Sequence, residues 1–359
     1  MKSVENEEEG KGKTMGLPKD SGLLLHAKRP AGRRNLISDV PGVKVGSATI
    51  NGGDVHTGVT VVLPHEGNLF KEKVMAGVSV INGFGKSTGL LQIEELGTIE
   101  TPIALTNTFS VGTVLEALTR YMLEQNEEIG VTTGTVNCVV TECNDGRLND
   151  IRGMHVKEGH VRAALAAAGE EFEEGAVGGG TGMVCLGLKG GIGSASRVIR
   201  ADNQDYVVGA LVMTNFGEPG NLVIGGRHYD TGICKTAEKR DKGSVIILIA
   251  TDLPLNERQL KRVAKRSMIA LGRVGSFCGN GSGDIAIAFS TANRLSHYSD
   301  TDILPVRMFY DEHIDNVFEA AVEAVEEAVI SSLYHADSMI GIRGNTAIGL
   351  KEFLETYNQ

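Results

Sequence analysis

The chain has 359 residues, 41% of them apolar, and carries a formal net charge of −10. This length suffices for one large domain or two smaller ones, and the acidic balance gives no basic footprint for nucleic acid. No apolar stretch approaches the roughly 20 residues that a membrane-spanning helix needs. We therefore expect neither a nucleic-acid partner nor a membrane partner.

The N-terminal residues and the cysteines indicate whether the chain is secreted and which compartment it occupies. The first residues are charged and lack the apolar core of a secretion signal. We expect residues 1–20 to form a flexible tail and residues 21–359 to form one domain, because no repeat or low-complexity linker divides them. Five cysteines occur without a C-x-x-C pair, which indicates neither a disulfide framework nor a zinc site. The sequence therefore predicts a cytoplasmic protein without a metal or other cofactor.

Short apolar runs between turn residues predict strands in the first part of the chain. One lies near residues 43–46, a second spans 56–64, and a third begins at 78. The third runs into the segment 85–87, whose Gly-Lys-Ser sequence imitates a phosphate-binding P-loop. The glycine that this motif needs five residues earlier is Val80, so we interpret the segment as a structural turn.

The next elements lead to a polar loop. Apolar spacing after Ser110 predicts an amphipathic helix, and Asn107 before it is typical of a cap or turn residue. Residues 131–141 predict a strand, which runs into Glu142 and the loop around Asn144. Acidic and amide residues after a strand are typical of either a turn or a binding loop.

A glycine-rich segment follows a predicted helix at 160–168. Glycines cluster between residues 178 and 193, but the G-x-G-x-x-G pattern of a dinucleotide site fails because Ser196 stands at its last position. Hairpin turns are the favoured interpretation. Residues 207–213 then predict a strand that ends near Asn215. The amide of Asn215 could donate to an oxyanion, and a plain turn role is the alternative.

The run from Lys242 to Thr251 predicts a strand buried on both faces, because it is too apolar for a surface strand. The charged segment 238–242 leads into it. Ser244, behind Gly243, is placed to attack the peptide bond before it, since glycine has no Cβ to block the approach. After cleavage Ser244 would carry both a hydroxyl and a free α-amine, a pairing that activates a nucleophile. The alternative is that Ser244 merely begins a strand.

A second buried strand is predicted from residue 285, directly after Ser282 and Asp284. Residues i and i+2 of a strand point to the same face, so this hydroxyl and carboxylate can act together above the end of the sheet. A polar turn is the alternative. Asn256 predicts the N-cap of an earlier helix, and residues 313–334 predict a long helix.

Six segments fall in the order of one known family, namely 55–60, 81–86, 94–102, 181–183, 243–244 and 282–284. From about Arg33 onwards the chain resembles the DmpA-type L-aminopeptidase/D-esterase family, which includes β-aminopeptidases. The resemblance implies an α/β (α+β) fold, a four-layer αββα sandwich of the kind shared with ornithine acetyltransferases. It also implies self-cleavage into residues 1–243 and 244–359, which stay together, and assembly into a homo-oligomer, a tetramer or larger.

The resemblance also implies which residues carry the chemistry. Ser244 matches the nucleophile and new N-terminus, with Gly243 before the cleaved bond. Ser282 and Asp284 match the serine and the acid that support this nucleophile. Asn215 matches the asparagine on the oxyanion side.

Two further positions concern the substrate. Glu142 matches the acid that is expected to hold the free amino group of the substrate. Asn144 replaces an aromatic residue of the family, usually tyrosine, whose hydroxyl is thought to lie near the reacting carbonyl. An asparagine can still donate a hydrogen bond there, with a shorter reach.

The predicted function is that of a self-processing aminopeptidase with an N-terminal serine. It would hydrolyse small peptides, amino-acid amides or esters that have a free amino group. One alternative is an acyltransferase like the ornithine acetyltransferases, although those generally have threonine where this chain has Ser244. The other is a non-enzymatic glycine-rich ligand-binding protein, against which the incomplete glycine motifs count.

Overall fold

The computed structural model describes residues 16–17, 21, 23, 26–234 and 243–357. Most of the predicted tail and all of the charged segment 238–242 lie outside these residues. Within the described part of the chain, no helix is both long and apolar enough to span a membrane. The α-helices, in chain order, are α1 (Leu90–Leu96), α2 (Val111–Gln125), α3 (Glu158–Ala166), α4 (Glu257–Arg273), α5 (Asp315–Tyr334) and α6 (Leu350–Tyr357).

The strands form two main sheets and three short hairpins. In chain order they are β1 (Lys44–Gly52), β2 (Val55–Leu63), β3 (Glu72–Gly83), β4 (Thr98–Ile99), β5 (Ile103–Asn107), β6 (Val139–Cys143), β7 (Val184–Cys185), β8 (Leu188–Lys189), β9 (Ile192–Ala201), β10 (Gln204–Asn215), β11 (Leu222–Ile224), β12 (Arg227–Tyr229), β13 (Ser244–Thr251), β14 (Gly283–Ser296), β15 (Met339–Ile340) and β16 (Thr346–Ala347). Sheet A has the order β1-β2-β5-β6, and sheet B has the order β4-β3-β14-β13-β10-β9. The pairs β7–β8, β11–β12 and β15–β16 form the hairpins.

The two sheets pack face to face, and helices cover their outer faces. Along β13, Ile246 and Leu248 lie in the core between the sheets, together with Leu105 of sheet A. The alternate residue Ile247 lies in the core under α4 and α5, while α2 and α3 cover sheet A. Each such side chain, fully buried, stabilises the fold by about 1.5–3 kcal/mol. This four-layer αββα arrangement confirms the predicted fold and explains why β13 has no polar face.

Capping residues behave as the sequence predicts. The Oδ1 atom of Asn107 accepts hydrogen bonds from the backbone N–H groups of Phe109 and Ser110, just before α2. Asn256 caps α4 in the same way, accepting from Gln259 N at 2.9 Å. The glycine cluster forms a 3-10 turn at Gly178–Gly180 and the β7–β8 hairpin, so the hairpin-turn interpretation is confirmed.

The strand predicted at 131–141 is wrong for most of its length. Only Val139 onwards joins sheet A, as β6. The preceding residues turn instead, because Gly130 N donates to Gly134 O and Thr132 N donates to Glu128 O. Gly130 has φ +73°, a left-handed conformation that breaks an extended run.

Strand direction brings several strand ends to one edge of sheet B. Strands β13 and β14 are parallel, so their first residues lie side by side. Strand β10 is antiparallel to β13, so its last residue, Asn215, reaches the same edge beside Ser244. This edge collects polar side chains from segments that are far apart in the sequence.

Candidate active site

The predicted catalytic side chains come from three neighbouring strands at this edge. Asn215 on β10 pairs in register with Ser244 on β13, which pairs with Gly283 on β14. Neighbouring strands lie about 4.8 Å apart. Ser282 and Asp284 flank Gly283, so the structure brings together all four residues predicted to act in catalysis.

Ser244 lies against the peptide bond that precedes it. Its side chain is buried, and its Oγ donates to Gly243 O at 2.7 Å. The backbone N–H of Gly283 donates to the same carbonyl oxygen at 3.2 Å. The Gly283 N–H is therefore in a position to stabilise negative charge on this oxygen, and the Ser244 hydroxyl is held beside the same carbonyl group.

Two glycines create the space for this arrangement. A Cβ on Gly243 would lie 1.9 Å from the carbonyl oxygen of Asn215, a distance that no side chain tolerates. A Cβ on Gly283 would lie 3.1 Å from Ser244 Oγ and 2.7 Å from Phe84 O. Glycine at position 243 therefore lets the chain pack closely against Asn215. Glycine at position 283 leaves room for the Ser244 hydroxyl.

Ser282 and Asp284 form a buried hydroxyl–carboxylate pair. The Oγ of Ser282 donates to Asp284 Oδ1 at 2.6 Å, and both side chains are buried. A hydrogen bond to a carboxylate is charge-assisted and strong. Since its proton is committed to Asp284, the Ser282 oxygen is left to accept a hydrogen bond from another donor, such as an amine.

Asn82 holds the turn that carries this pair, although the sequence analysis gave it no role. Its Nδ2 donates to the carbonyl oxygens of Gly279, at 2.9 Å, and Ser282. Asn82 lies on β3 and pairs in register with Asp284. The position of the hydroxyl–carboxylate pair therefore depends on a residue about 200 positions earlier, which local spacing does not reveal.

The side-chain amide of Asn215 is fixed at both of its polar atoms. Its Oδ1 accepts from Val184 N at 3.0 Å, and its Nδ2 donates to Asn144 O at 3.0 Å. A flip of the amide would place donor against donor and acceptor against acceptor. An amide nitrogen has two N–H groups, so Asn215 retains a second donor after bonding Asn144.

Glu142 reaches the site from sheet A. It is 2% exposed, and its Oε1 accepts from Lys86 N at 2.9 Å while Oε2 accepts from the Thr108 hydroxyl. A Cβ on Gly85 would lie 3.5 Å from Glu142 Oε1 and 3.9 Å from Gly283 Cα. The carboxylate therefore lies across a narrow gap from the start of β14, held by neutral donors and with no cationic side chain within ion-pair distance among the described residues.

Asn144 contributes to the site through its main chain. Its side chain is exposed, and its Oδ1 accepts from Gly146 N at 2.9 Å within its own turn. Its carbonyl oxygen is the group that receives the Asn215 amide. The side-chain oxygen of Asn144 is thus committed to its own turn, and the main chain of this residue binds Asn215.

An aromatic and cationic rim borders this edge. Phe84 is 63% exposed, and Lys86 Nζ lies 4.5 Å from the centre of its ring. A Cβ on Gly283 would lie 2.7 Å from the carbonyl oxygen of Phe84, so Phe84 adjoins the start of β14.

A buried charged cluster lies near Asn215 and was not predicted from the sequence. Burial raises the pKa of the Asp145 carboxyl to about 6, a rise that hydrogen bonds from Thr57, Asn149 and Asn107 partly oppose. Burial lowers the pKa of Lys189 to about 7, and the charge of Asp145 partly opposes this fall. Lys189 is the only charged residue between Glu174 and Arg197. A lone charge in a long uncharged segment was the available signal.

Two other features lie outside this arrangement. A surface cavity of about 410 Å³ is lined by residues that include Val198 and Arg200, at the end of β9 that is remote from Asn215. The described residues hold no group of three or more His, Cys, Asp or Glu side chains placed to bind a metal ion. The polar edge around Ser244 is therefore the candidate active site.

Comparisons with known proteins agree over most of the chain. The chain matches the model of Peptidase family S58 over residues 35–347. Beta-peptidyl aminopeptidase BapA of Sphingosinicella microcystinivorans is 39% identical over 341 residues, which cover 88% of this chain and 85% of that protein. The crystal structure of a Pyrococcus horikoshii OT3 protein gives a TM-score of 0.88 at 51% identity, covering 94% of this chain and 96% of that one.

A third relative has a described activity and fold. The l-aminopeptidase d-ala-esterase/amidase of Ochrobactrum anthropi gives a TM-score of 0.83 at 37% identity, covering 93% of this chain and 97% of that one. Its structure is described as a variant among the Ntn hydrolase fold. These similarities confirm the resemblance that the sequence indicated, and they favour hydrolysis over acyl transfer or ligand binding alone.

Proposed function

This chain belongs to peptidase family S58 and is a hydrolase of the aminopeptidase kind, and we propose that Ser244 is the nucleophile of both self-cleavage and turnover. One observation carries the proposal. The Ser244 hydroxyl and the Gly283 N–H both bind the carbonyl oxygen of Gly243, the group that self-cleavage would attack.

Maturation begins with an N→O acyl shift. Ser244 Oγ attacks the Gly243 carbonyl carbon, and the Gly283 N–H stabilises the oxyanion. The proton of the Ser244 hydroxyl passes to the amide nitrogen as the Gly243–Ser244 bond breaks, which leaves Gly243 esterified to Ser244 Oγ. Water hydrolyses this ester, so the first chain ends in a Gly243 carboxylate and the second begins with the free α-amine of Ser244.

The two halves stay together because they share a sheet. Strands β13 and β14 follow the cleavage site, while their neighbours β10 and β3 precede it. Each of these shared boundaries is a ladder of main-chain hydrogen bonds. Residues 21–359 therefore act as one domain that is cut between 243 and 244.

Turnover uses the same hydroxyl with its new amine. Ser244 Oγ attacks the carbonyl carbon of the substrate, and the hydroxyl proton passes to the α-amine of Ser244. This amine donates a hydrogen bond to the Ser282 oxygen. The leaving amine or alcohol takes that proton, and water then releases the acyl group. General acid–base help of this kind is typically worth 10²–10⁴-fold. Asn215 stabilises the oxyanion through its second N–H group.

Glu142 selects substrates with a free amino group. Its buried carboxylate is oriented by Lys86 N–H and the Thr108 hydroxyl, and it lies beside Gly85 near the start of β14. A substrate ammonium supplies the positive partner that this carboxylate lacks within the described residues. The substrates are therefore small peptides, amino-acid amides or esters with an unblocked amino group.

We also propose a homo-oligomer, a tetramer or larger, located in the cytoplasm. The segment 297–314, between β14 and α5, exposes several large apolar side chains, with Ile303 84%, Met308 60% and Tyr310 64% exposed. Apolar surface of this kind is typical of an interface between subunits. Light scattering should give a mass of at least four chains for the wild type and a smaller mass for Ile303→Asp. A wild-type mass of one chain contradicts the proposal.

An assay with matched substrates tests the enzymatic proposal. Wild-type protein should release p-nitroaniline from an aminoacyl p-nitroanilide with a free amine and not from its N-acetyl derivative. Ser244→Ala, purified in parallel, measures any contaminating peptidase. Equal rates for wild type and Ser244→Ala would remove Ser244 as the nucleophile.

A further inference from the structure

Lys189 is a buried cation that, among the described residues, has no carboxylate within ion-pair distance. Its Nζ donates to three carbonyl oxygens, those of Met183 at 3.0 Å, Gly190 at 2.6 Å and Gly180 at 3.3 Å. The whole side chain is buried. Removing an ammonium from water is costly, so this placement needs a reason that packing alone does not give.

One of these carbonyls connects Lys189 to the active site. Met183 C=O and Val184 N–H belong to the same peptide group. Its oxygen accepts from Lys189 at 3.0 Å, and its N–H donates to Asn215 Oδ1 at 3.0 Å. A single rigid and planar unit therefore lies between the ammonium and the amide of Asn215.

We propose that Lys189 is a positioning residue that fixes and polarises Asn215 through the Met183–Val184 peptide. This inference rests on the proposed role of Asn215 at the oxyanion. A cation on the peptide oxygen strengthens the peptide N–H as a donor, since hydrogen bonds in a chain polarise one another. The stronger bond to Oδ1 in turn makes the Asn215 N–H groups better donors and holds their direction.

The surroundings of Lys189 set its charge. Three titratable groups interact with it: His56 on β2, Asp145 after β6 and Cys185 on β7. Burial lowers the pKa of Lys189 to about 7, with the charges of Asp145 and Cys185 opposing the fall. Gly182 packs against Asp145, since a Cβ on Gly182 would lie 3.0 Å from Asp145 Cβ. The Asp145 carboxylate therefore lies beside the segment that binds Lys189.

A double-mutant cycle on kcat tests the inference. Loss of an oxyanion donor costs about 10²–10³-fold in kcat, so Asn215→Ala should fall in that range, and Lys189→Met should lose roughly 10-fold with KM within about twofold of wild type. If Lys189 acts through Asn215, the double variant should match Asn215→Ala within about twofold. Multiplied losses, or an unchanged kcat in Lys189→Met, would overturn the inference.

The control is Lys44→Met, which removes a lysine of β1 that is ion-paired with Glu66 away from the site. Its kcat should equal that of the wild type. If Asn215→Ala keeps full kcat, the oxyanion role in the proposed function fails, and the inference fails with it. If Asn215→Ala loses activity and Lys189→Met does not, only the inference fails.

A measurement on wild-type protein covers the case in which Lys189→Met fails to fold or mature. The side-chain amide signals of Asn215, followed by ¹H–¹⁵N NMR, should shift with pH around a midpoint near 7, the pKa of Lys189. Signals that do not move contradict the inference. The shift should persist in Asp145→Asn, and its loss there would assign the titration to Asp145 and would equally overturn the inference.

Discussion

The two ends of strands β13 and β14 carry the same kinds of side chain in different partnerships. At the far end, Thr251 Oγ1 donates to Val207 O at 2.7 Å, and Ser290 Oγ donates to Leu253 O. These hydroxyls tie neighbouring segments of the main chain together. At the near end, Ser244 binds the carbonyl of its own preceding residue, and Ser282 binds a carboxylate.

The difference shows that residue type does not mark an active site in this fold. All four residues are more than nine-tenths buried, and all four hydroxyls are hydrogen-bonded. What distinguishes the near end is the partner, either the carbonyl that would be attacked or an acid that fixes the hydroxyl proton. Each active-site variant is therefore paired with a control variant at a structural position.

The largest expected effect is that of Ser244→Ala. Removing a catalytic nucleophile costs on the order of 10⁶-fold in kcat in a well-studied serine protease, and we expect at least about 10⁴-fold here. Thr251→Ala, at the other end of β13, should mature and keep kcat within about twofold, while losing about 1 kcal/mol of stability. Steady-state kinetics and urea unfolding of both variants check the pair. A comparable loss of kcat in both would erase the distinction between the two ends.

Next in size are Ser282→Ala and Asp284→Asn. Each breaks the hydroxyl–carboxylate pair, so each should lower kcat by about 10²–10⁴-fold, the range of general acid–base help. Ser290→Ala is the matched change on the same strand, and it should cost about 1 kcal/mol in unfolding free energy with an unchanged kcat. An active Ser282→Ala would show that the pair only supports the turn.

A third prediction compares how the stability contributions of two buried acids, Asp145 and Asp252, depend on pH. Burial raises the pKa of Asp145 from 3.8 to about 6, so between these pH values the folded protein keeps a proton that the unfolded chain has released. This contribution to stability therefore falls as pH rises through that window. Relative to wild type, Asp145→Asn should gain about 2 kcal/mol from pH 4 to pH 7, for a shift of roughly two pKa units.

The counterpart is Asp252, at the far end of β13. Burial also raises its pKa, and a hydrogen bond from Val207 N opposes the rise. Because this side chain is only half-buried, Asp252→Asn should show a smaller change of the same sign. Chemical unfolding at several pH values measures both. A flat difference between wild type and Asp145→Asn would show that Asp145 is ionised in the folded protein over this whole range.

The last comparison concerns substrate binding by Glu142 of sheet A. Glu142→Gln should raise KM for free-amine substrates by about 10–100-fold, since hydrogen bonds to charged groups contribute about 1.5–3 kcal/mol. Glu100, before β5 at the other end of sheet A, is paired with Lys73 at 2.5 Å. Glu100→Gln should leave KM unchanged and lower stability. An unchanged KM in Glu142→Gln would remove Glu142 from amine binding.

Much of this arrangement follows from local sequence patterns. The apolar run after Ser244 specifies a doubly buried strand, and the i, i+2 spacing specifies the contact between Ser282 and Asp284. The strand predicted at 131–141 was wrong because Gly130 and Gly134 close a turn there. Such a turn is decided by main-chain conformation rather than by apolar pattern.

The supporting residues were not predictable in the same way. Asn82 acts on a turn about 200 residues later, and Lys189 acts on carbonyl groups, which every residue has. Neither contact leaves a trace in residue spacing. For Lys189 the lone charge in a glycine-rich segment was visible, but its partner, the Met183–Val184 peptide, becomes apparent only in the folded chain.

The mass of the denatured protein tests the central claim most directly. We expect two species in wild-type protein, residues 1–243 and 244–359, and one uncut chain of 38.1 kDa in Ser244→Ala. Thr251→Ala should be cut like the wild type. An uncut wild-type chain, or a Ser244→Ala chain cut at the same bond, would contradict the assignment of Ser244 as the self-cleaving nucleophile.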